Sequence, residues 1–223
     1  MREGWHYIYA MKRSLLKNTM LAVLAVILLL VPTGVTLLLR DPGQVSEEAV
    51  DEAKAELGRY ALLHPEEEIR TLAVVDYSKP SFMKRMVVID LQSGQRLPCR
   101  VAHGKESGKL FARSFSNVPE SNRSSLGLFR VVRAYSGDHG LALRLDGLDS
   151  LRNGNAAPRD IVVHSAEYVS IPYILWNLVT LEGPRIGRSN GCFVVSRGDI
   201  VPVARRLDHG GFIYSWSGNP ENK

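Results

Sequence analysis

Gly187-Arg-Ser-Asn-Gly-Cys-Phe-Val-Val-Ser196 sets a polar turn directly ahead of a β-branched run. Ser189, Asn190 and Gly191 are turn formers, and Phe193, Val194 and Val195 suit a pleated strand. The first five residues also match G-x-S-x-G, the elbow of serine hydrolases. That elbow needs a strand before it and a helix after it. Here Leu181-Glu-Gly-Pro-Arg-Ile186 reads as a loop, and a strand follows. A serine hydrolase using Ser189 would have only Asp199, Asp208 and His209 downstream to complete a triad, so it is a remote alternative. The turn-then-strand reading predicts a mainly β (α+β) domain.

The same texture extends to both sides. From Arg70 onward, short β-branched runs alternate with Gly, Ser, Asn and Pro. Candidate strands are 71–76, 86–91, 100–103, 128–134, 141–145, 161–164, 193–196 and 212–216. A helix from Asp199 to Leu207 fits with Pro202 in its first turn. Upstream, Ser46 is a candidate N-cap, with Glu47 and Glu48 in the first turn. Ala49, Val50, Ala53, Leu57, Tyr60 and Ala61 form a helical stripe that Pro65 closes.

The net charge of +5 is unevenly placed. Arg2, Lys12, Arg13, Lys17 and Arg40 against Glu3 make the first forty residues +4, so the remainder carries +1. The basic pI of 9.3 is therefore mostly a property of the N-terminus, and no basic face for nucleic acid is indicated. From Thr19 to Leu39 no residue is charged, and about 20 apolar residues span a bilayer. Cations on its N-terminal side predict that the N-terminus stays inside and residues 41–223 lie outside. A cleaved signal peptide or a buried core helix would use the same composition. Two cysteines in so long a chain exclude a disulfide scaffold.

Two other strings carry less. Ser81-Phe-Met-Lys84 fits S-x-x-K, but no K-T-G accompanies it. Gly104-Lys-Glu-Ser-Gly108-Lys109 is one residue short of a P-loop, and Leu110 replaces the magnesium-binding hydroxyl, so it reads as a turn. No H-E-x-x-H or C-x-x-C string suggests a metal. Cys192 and His164 are different. A cysteine after a tight turn lies beside backbone N–H groups, and a histidine at a strand end is a rigidly held base. A buried cysteine and a structural histidine are the plain alternative.

A series of blocks, each weak alone, occurs in order: Val75-Asp-Tyr-Ser-Lys-Pro-Ser81, Val101-Ala-His-Gly104 with Ser107-Gly108, Phe115-Ser-Asn117 and Ser124-Ser-Leu-Gly127. Tyr135-Ser-Gly-Asp-His-Gly140, Leu145-Asp-Gly-Leu148, Asn153-Gly-Asn-Ala156, Arg159-Asp-Ile-Val-Val-His164 and Gly187-Arg-Ser-Asn-Gly-Cys192 complete it. In these, from about Leu72 to Ser196, the chain resembles the murein L,D-transpeptidase catalytic domain family of the YkuD type. The resemblance implies a YkuD-like β-sandwich or barrel. It makes Cys192 the nucleophile, His164 the base and the Ser165 backbone carbonyl the group that orients it. The N–H groups of Gly191 and Cys192 become the oxyanion hole, and Tyr135, His139, Arg188, Ser189 and Asn190 line the substrate cleft.

Three departures stand out: Asn190 where many relatives have His, Ser165 where Gly is frequent, and an apolar insert over 171–184. Cys99 reads as a spectator thiol.

The implied activity is a cysteine acyltransferase working on peptidoglycan stem peptides and forming 3–3 cross-links, with no cofactor and no metal. Water as acceptor would make the same site an L,D-carboxypeptidase, and loss of turnover would leave a peptidoglycan-binding scaffold. The implied layout is a cytoplasmic basic flank (1–18), a transmembrane signal anchor (19–39), a stalk with a helix (40–68) and the catalytic domain (69–223). Such a chain would be a single-pass inner-membrane protein with its catalytic domain on the periplasmic side.

Overall fold

The computed structural model describes residues 2–41, 43, 45–138 and 140–218. Two units are separated, Met1–Asp41 and Pro42–Lys223. The first is one helix, α1 (Arg2–Leu39), which contains Pro32. By length and composition Met11–Leu38 could cross a membrane. Leu15, Leu16, Met20, Leu21, Leu24 and Ile27 all lie exposed along it. A helix satisfies its backbone within the segment, as hydrocarbon requires.

The second unit is built on eight strands: β1 (Thr71–Asp76), β2 (Met86–Asp90), β3 (Arg96–Cys99), β4 (Gly127–Gly137), β5 (Gly140–Gly147), β6 (Val162–Ser165), β7 (Phe193–Val195) and β8 (Gly211–Trp216). Their order is β3-β2-β1-β8-β4-β5-β6-β7. The pairs β1–β8 and β6–β7 are parallel, and the rest are antiparallel. Beyond β3 the chain reaches the opposite edge, where Ala102 N–H donates to Val194 O at 2.8 Å. That bridge nearly closes the mixed sheet into a barrel.

Side chains alternate between two apolar layers, as the two-residue strand period demands. Ala73 and Val75 of β1, with Ile213 of β8, join the inner core around Phe129 and Phe193. Leu72 and Val74, with Phe212, Tyr214 and Trp216, face the other way onto α2 (Glu47–Leu63). Helix α4 (Ile200–Leu207) fills the inner core with Val203, Ala204 and Leu207.

Two details differ from the sequence reading. The 40–68 segment is read as a stalk, yet its helix is packed into the domain. Ser46 caps α2, accepting from Ala49 N–H at 3.3 Å, and Ala49, Val50, Ala53 and Leu57 are buried. The Glu52 carboxylate takes the Tyr214 hydroxyl at 2.8 Å and Trp216 Nε1–H at 3.0 Å. The candidate strand 100–103 is instead a pair of isolated bridges, and the ladder strand lies earlier, at β3. Arg85 explains this: its Nε and Nη2 both donate to Val101 O, taking the carbonyl a ladder would use. Pro98 is accommodated in β3 because the ladder pairs that strand with β2 alone. The apolar run 171–179 forms helix α3 (Ile171–Val179), capped by Ser170, with Ile174 and Asn177 buried and Trp176 and Val179 exposed.

Candidate active site

Parallel pairing of β6 with β7 sets His164 opposite Val194, two residues past Cys192. Cys192 and His164 line one open cleft of about 780 Å³. Tyr135, Arg188, Ser189 and Asn190 line it too, as do Asp160, Val162 and Tyr168. His139 lies outside the described residues. His164 Nδ1 is 3.2 Å from Ser165 O. A carbonyl oxygen only accepts, so the proton sits on Nδ1 and Nε2 is the basic nitrogen.

The half-buried Cys192 thiol donates to Asp160 O at 3.4 Å. Burial pushes this thiol up, and the nearby Asp160 carboxylate adds to the effect. The N–H groups of Val162 and Cys192 and the Arg159 guanidinium pull the other way without reversing it. Near neutral pH the group is therefore a thiol, and a base must take its proton as it attacks. Cys99, also free, is fully buried and pushed much further up by desolvation.

The turn before Cys192 is tied down on every side. Ser189 Oγ donates to Cys192 O at 2.8 Å and accepts from Gly191 N–H at 3.1 Å. The Gly191 N–H, one of the two donors expected to form an oxyanion hole, is thus engaged by the Ser189 hydroxyl. This gives the Ser189 hydroxyl a bracing task, and β7 rather than a helix follows it. Gly191 adopts φ +127°, and a Cβ there would meet Arg123 O at 2.9 Å. Only glycine fits that conformation and that space.

Beneath the turn lies the string that resembles a P-loop. Lys105 N–H donates to Ser189 O at 2.7 Å, and Arg188 Nη1 donates to the carbonyls of Lys105 and Gly108. His103 O accepts from Ser189 N–H at 2.9 Å. The His103 ring is fully buried, with Nδ1 accepting from Arg85 at 2.7 Å and Nε2 at 3.2 Å from Gly108 O. Burial and then the Arg85 charge lower its pKa to about 3, so it stays neutral.

The sequence profile of the L,D-transpeptidase catalytic domain, YkuD_2, matches residues 43–216. The chain belongs to this L,D-transpeptidase family. The match starts before α2, consistent with that helix being packed on the sheet. Among solved structures, the chain is similar to an L,D-transpeptidase from Mycobacterium smegmatis, at 15% identity over 66% of this chain and 59% of that one, with TM-score 0.38. It is also similar to one from Stackebrandtia nassauensis, at 13% identity over 68% and 57%, with TM-score 0.39. The matched part is thus a little over half the length of each. No curated protein matches the chain.

Two residues near this L,D-transpeptidase cleft escape a sequence reading. Arg159 donates to Ser116 O, Ser125 Oγ and Arg123 O at 2.6–2.7 Å, fastening the 116–125 loop behind Gly191. Tyr168 O accepts from Gly187 N–H at 2.9 Å, and burial, then the Cys192 charge, raise its phenol to about 12. Arg159 stands in the block before β6, but no local pattern says what it holds.

Proposed function

We propose that the chain is a membrane-anchored murein L,D-transpeptidase acting through a cysteine acyl-enzyme. Cys192 Sγ attacks the carbonyl joining the third residue of a stem tetrapeptide to its terminal D-Ala, as His164 Nε2 takes the thiol proton. The C–N bond breaks, the imidazolium returns that proton to the departing D-Ala amine, and a thioester on Cys192 remains. The side-chain amine of a neighbouring stem then attacks the thioester, losing a proton through His164. The product is a 3–3 cross-link and free Cys192. Water in place of the amine gives L,D-carboxypeptidase activity at the same site.

The observation that carries this reading is the shared cleft of Cys192 and His164, with Nδ1 of the histidine engaged by Ser165 O. The Cys192 N–H is the remaining oxyanion donor of the two first considered. In this reading residues 1–18 are cytoplasmic, the segment from Thr19 to Leu39 anchors the chain, and the domain works on the periplasmic side, where stems are cross-linked. The test is to incubate the purified chain with defined muropeptides and weigh the products. Loss of D-Ala with dimer formation supports transpeptidation, and loss of D-Ala alone supports carboxypeptidation. Intact substrate overturns both.

A further inference from the structure

We propose that Arg144 and Arg133 form a subsite for a carboxylate of the stem peptide on the β4–β5 wall of the cleft, an inference that rests on the peptidoglycan reading above. After the irregularity between Val131 and Arg133, Arg133 pairs directly with Arg144. Directly opposite residues of an antiparallel pair share a face, and like charges there repel.

Several other arginines of this domain are matched by carboxylates. Arg130 meets Glu67 and Asp146, Arg152 meets Asp149 and Glu56, and Arg96 meets Glu47. Among the described residues neither Arg133 nor Arg144 has a carboxylate partner. Arg144 Nε is moreover buried with no acceptor.

Neither arginine is among the residues lining the cleft, but both lie beside it on the same face of the sheet. Two residues along, Tyr135 and Ala142 are again directly opposite, and both line the cleft. On the other side Arg144 pairs with Val162 of β6, which also lines it and whose N–H faces the Cys192 sulfur. The Arg144 guanidinium lies over the Tyr135 ring, 5.5 Å from its centroid. Stacked in this way, a guanidinium keeps its N–H edge for a planar anion, and a carboxylate matches that edge in a bidentate pair. A stem tetrapeptide offers such groups at its terminal D-Ala and along its length. Binding one would neutralise the repelling pair.

The experiment uses the full chain in detergent micelles with Cys192→Ala, so that binding is measured without turnover. A stem tetrapeptide is titrated calorimetrically into this parent and into Arg144→Gln, Arg144→Lys and Arg133→Gln versions. Peptides amidated at the D-Ala or at an internal carboxylate are titrated alongside. Arg144→Gln should weaken binding of the acid peptide by roughly tenfold or more, while Arg144→Lys, which keeps the charge but not the planar fork, recovers only part of the affinity. Amidation at one position should erase the difference between parent and Arg144→Gln and so identify the carboxylate bound. Arg133→Gln should bind more weakly but melt no lower than the parent, because it relieves repulsion. Equal affinity of parent and Arg144→Gln overturns the subsite. An equal loss with acid and amidated peptides makes the residue structural and overturns it too. If the binding difference holds yet the unsubstituted chain turns over no muropeptide, the enzymatic reading falls and the subsite stands. If the parent binds no stem peptide, both fall.

Discussion

At the residue scale, two overlapping motifs make opposite claims three positions apart. Ser189 spends its hydroxyl on Cys192 O and Gly191 N–H, whereas Cys192 presents its sulfur to the cleft. Cys192→Ala should therefore abolish turnover of muropeptides, and Ser189→Ala should leave a measurable fraction. An active Cys192→Ala protein beside an inactive Ser189→Ala one would hand the chemistry to the serine. His164→Gln should lower kcat by roughly 10²–10⁴ through loss of a general base. The direction of the Cys192 shift adds a sharper check. Its pKa is raised, so thiolate is scarce near neutrality and grows only as pH climbs into the alkaline range. Iodoacetamide should label Cys192 with a pH midpoint above that of an ordinary cysteine, and faster than it labels the buried Cys99. A midpoint near neutrality would mean a preformed thiolate–imidazolium pair instead.

At the element scale, the positions of the strands other than β3, and of α4, are close to what β-branched runs and the Pro202 turn suggest. Their partners are not local properties. Helix α2 is held to β8 partly through Glu52, the acceptor for Tyr214 and Trp216, which are both nearly buried. Glu52→Ala should cost roughly 1–3 kcal/mol, since two donors lose their acceptor. Leu57→Ala should cost about 2–5 kcal/mol by opening a cavity under the same helix. Shifted denaturation midpoints would measure both, and unchanged midpoints would mean that α2 contributes nothing to the fold. The bed under the signature turn gives a pH effect. The His103 pKa falls from 6.5 to about 3 on folding, so between those values the unfolded chain binds a proton that the folded chain refuses. Stability should therefore rise with pH through that window and decline as pH drops below about 6.5. Melting curves of His103→Gln should be flatter there; an identical slope would exclude this residue as the source.

For the whole molecule, the charge-free run and its flanking Lys12, Arg13 and Lys17 predict an N-terminus inside and a domain outside, because moving several cations through hydrocarbon is costly. A phosphatase fused after Lys223 should be active, and a cytoplasmic fluorescent reporter at the same point should be dark. The reverse pattern would put the domain in the cytoplasm and remove it from its proposed substrate. Retention in membranes after a carbonate wash distinguishes an anchor from a cleaved signal.

What the amino-acid sequence by itself determined are the features written within a few residues: the charge-free run inside α1, the β-branched runs of β1 and β7, the Ser46 cap and the ordered blocks that mark the family. What only the tertiary structure decided are the meetings of distant segments. Parallel pairing of β6 with β7 brings His164 and Cys192 to one cleft, though 28 positions separate them. The capture of Val101 O by Arg85 accompanies the loss of an apparent strand, and the Ser189 hydroxyl engages the Gly191 N–H. A cross-strand register sets Arg133 against Arg144 beside the cleft. The reason is that backbone propensity and turn chemistry act between near neighbours. Register and hydrogen-bond competition are instead settled when a closed sheet must satisfy every buried polar group at once.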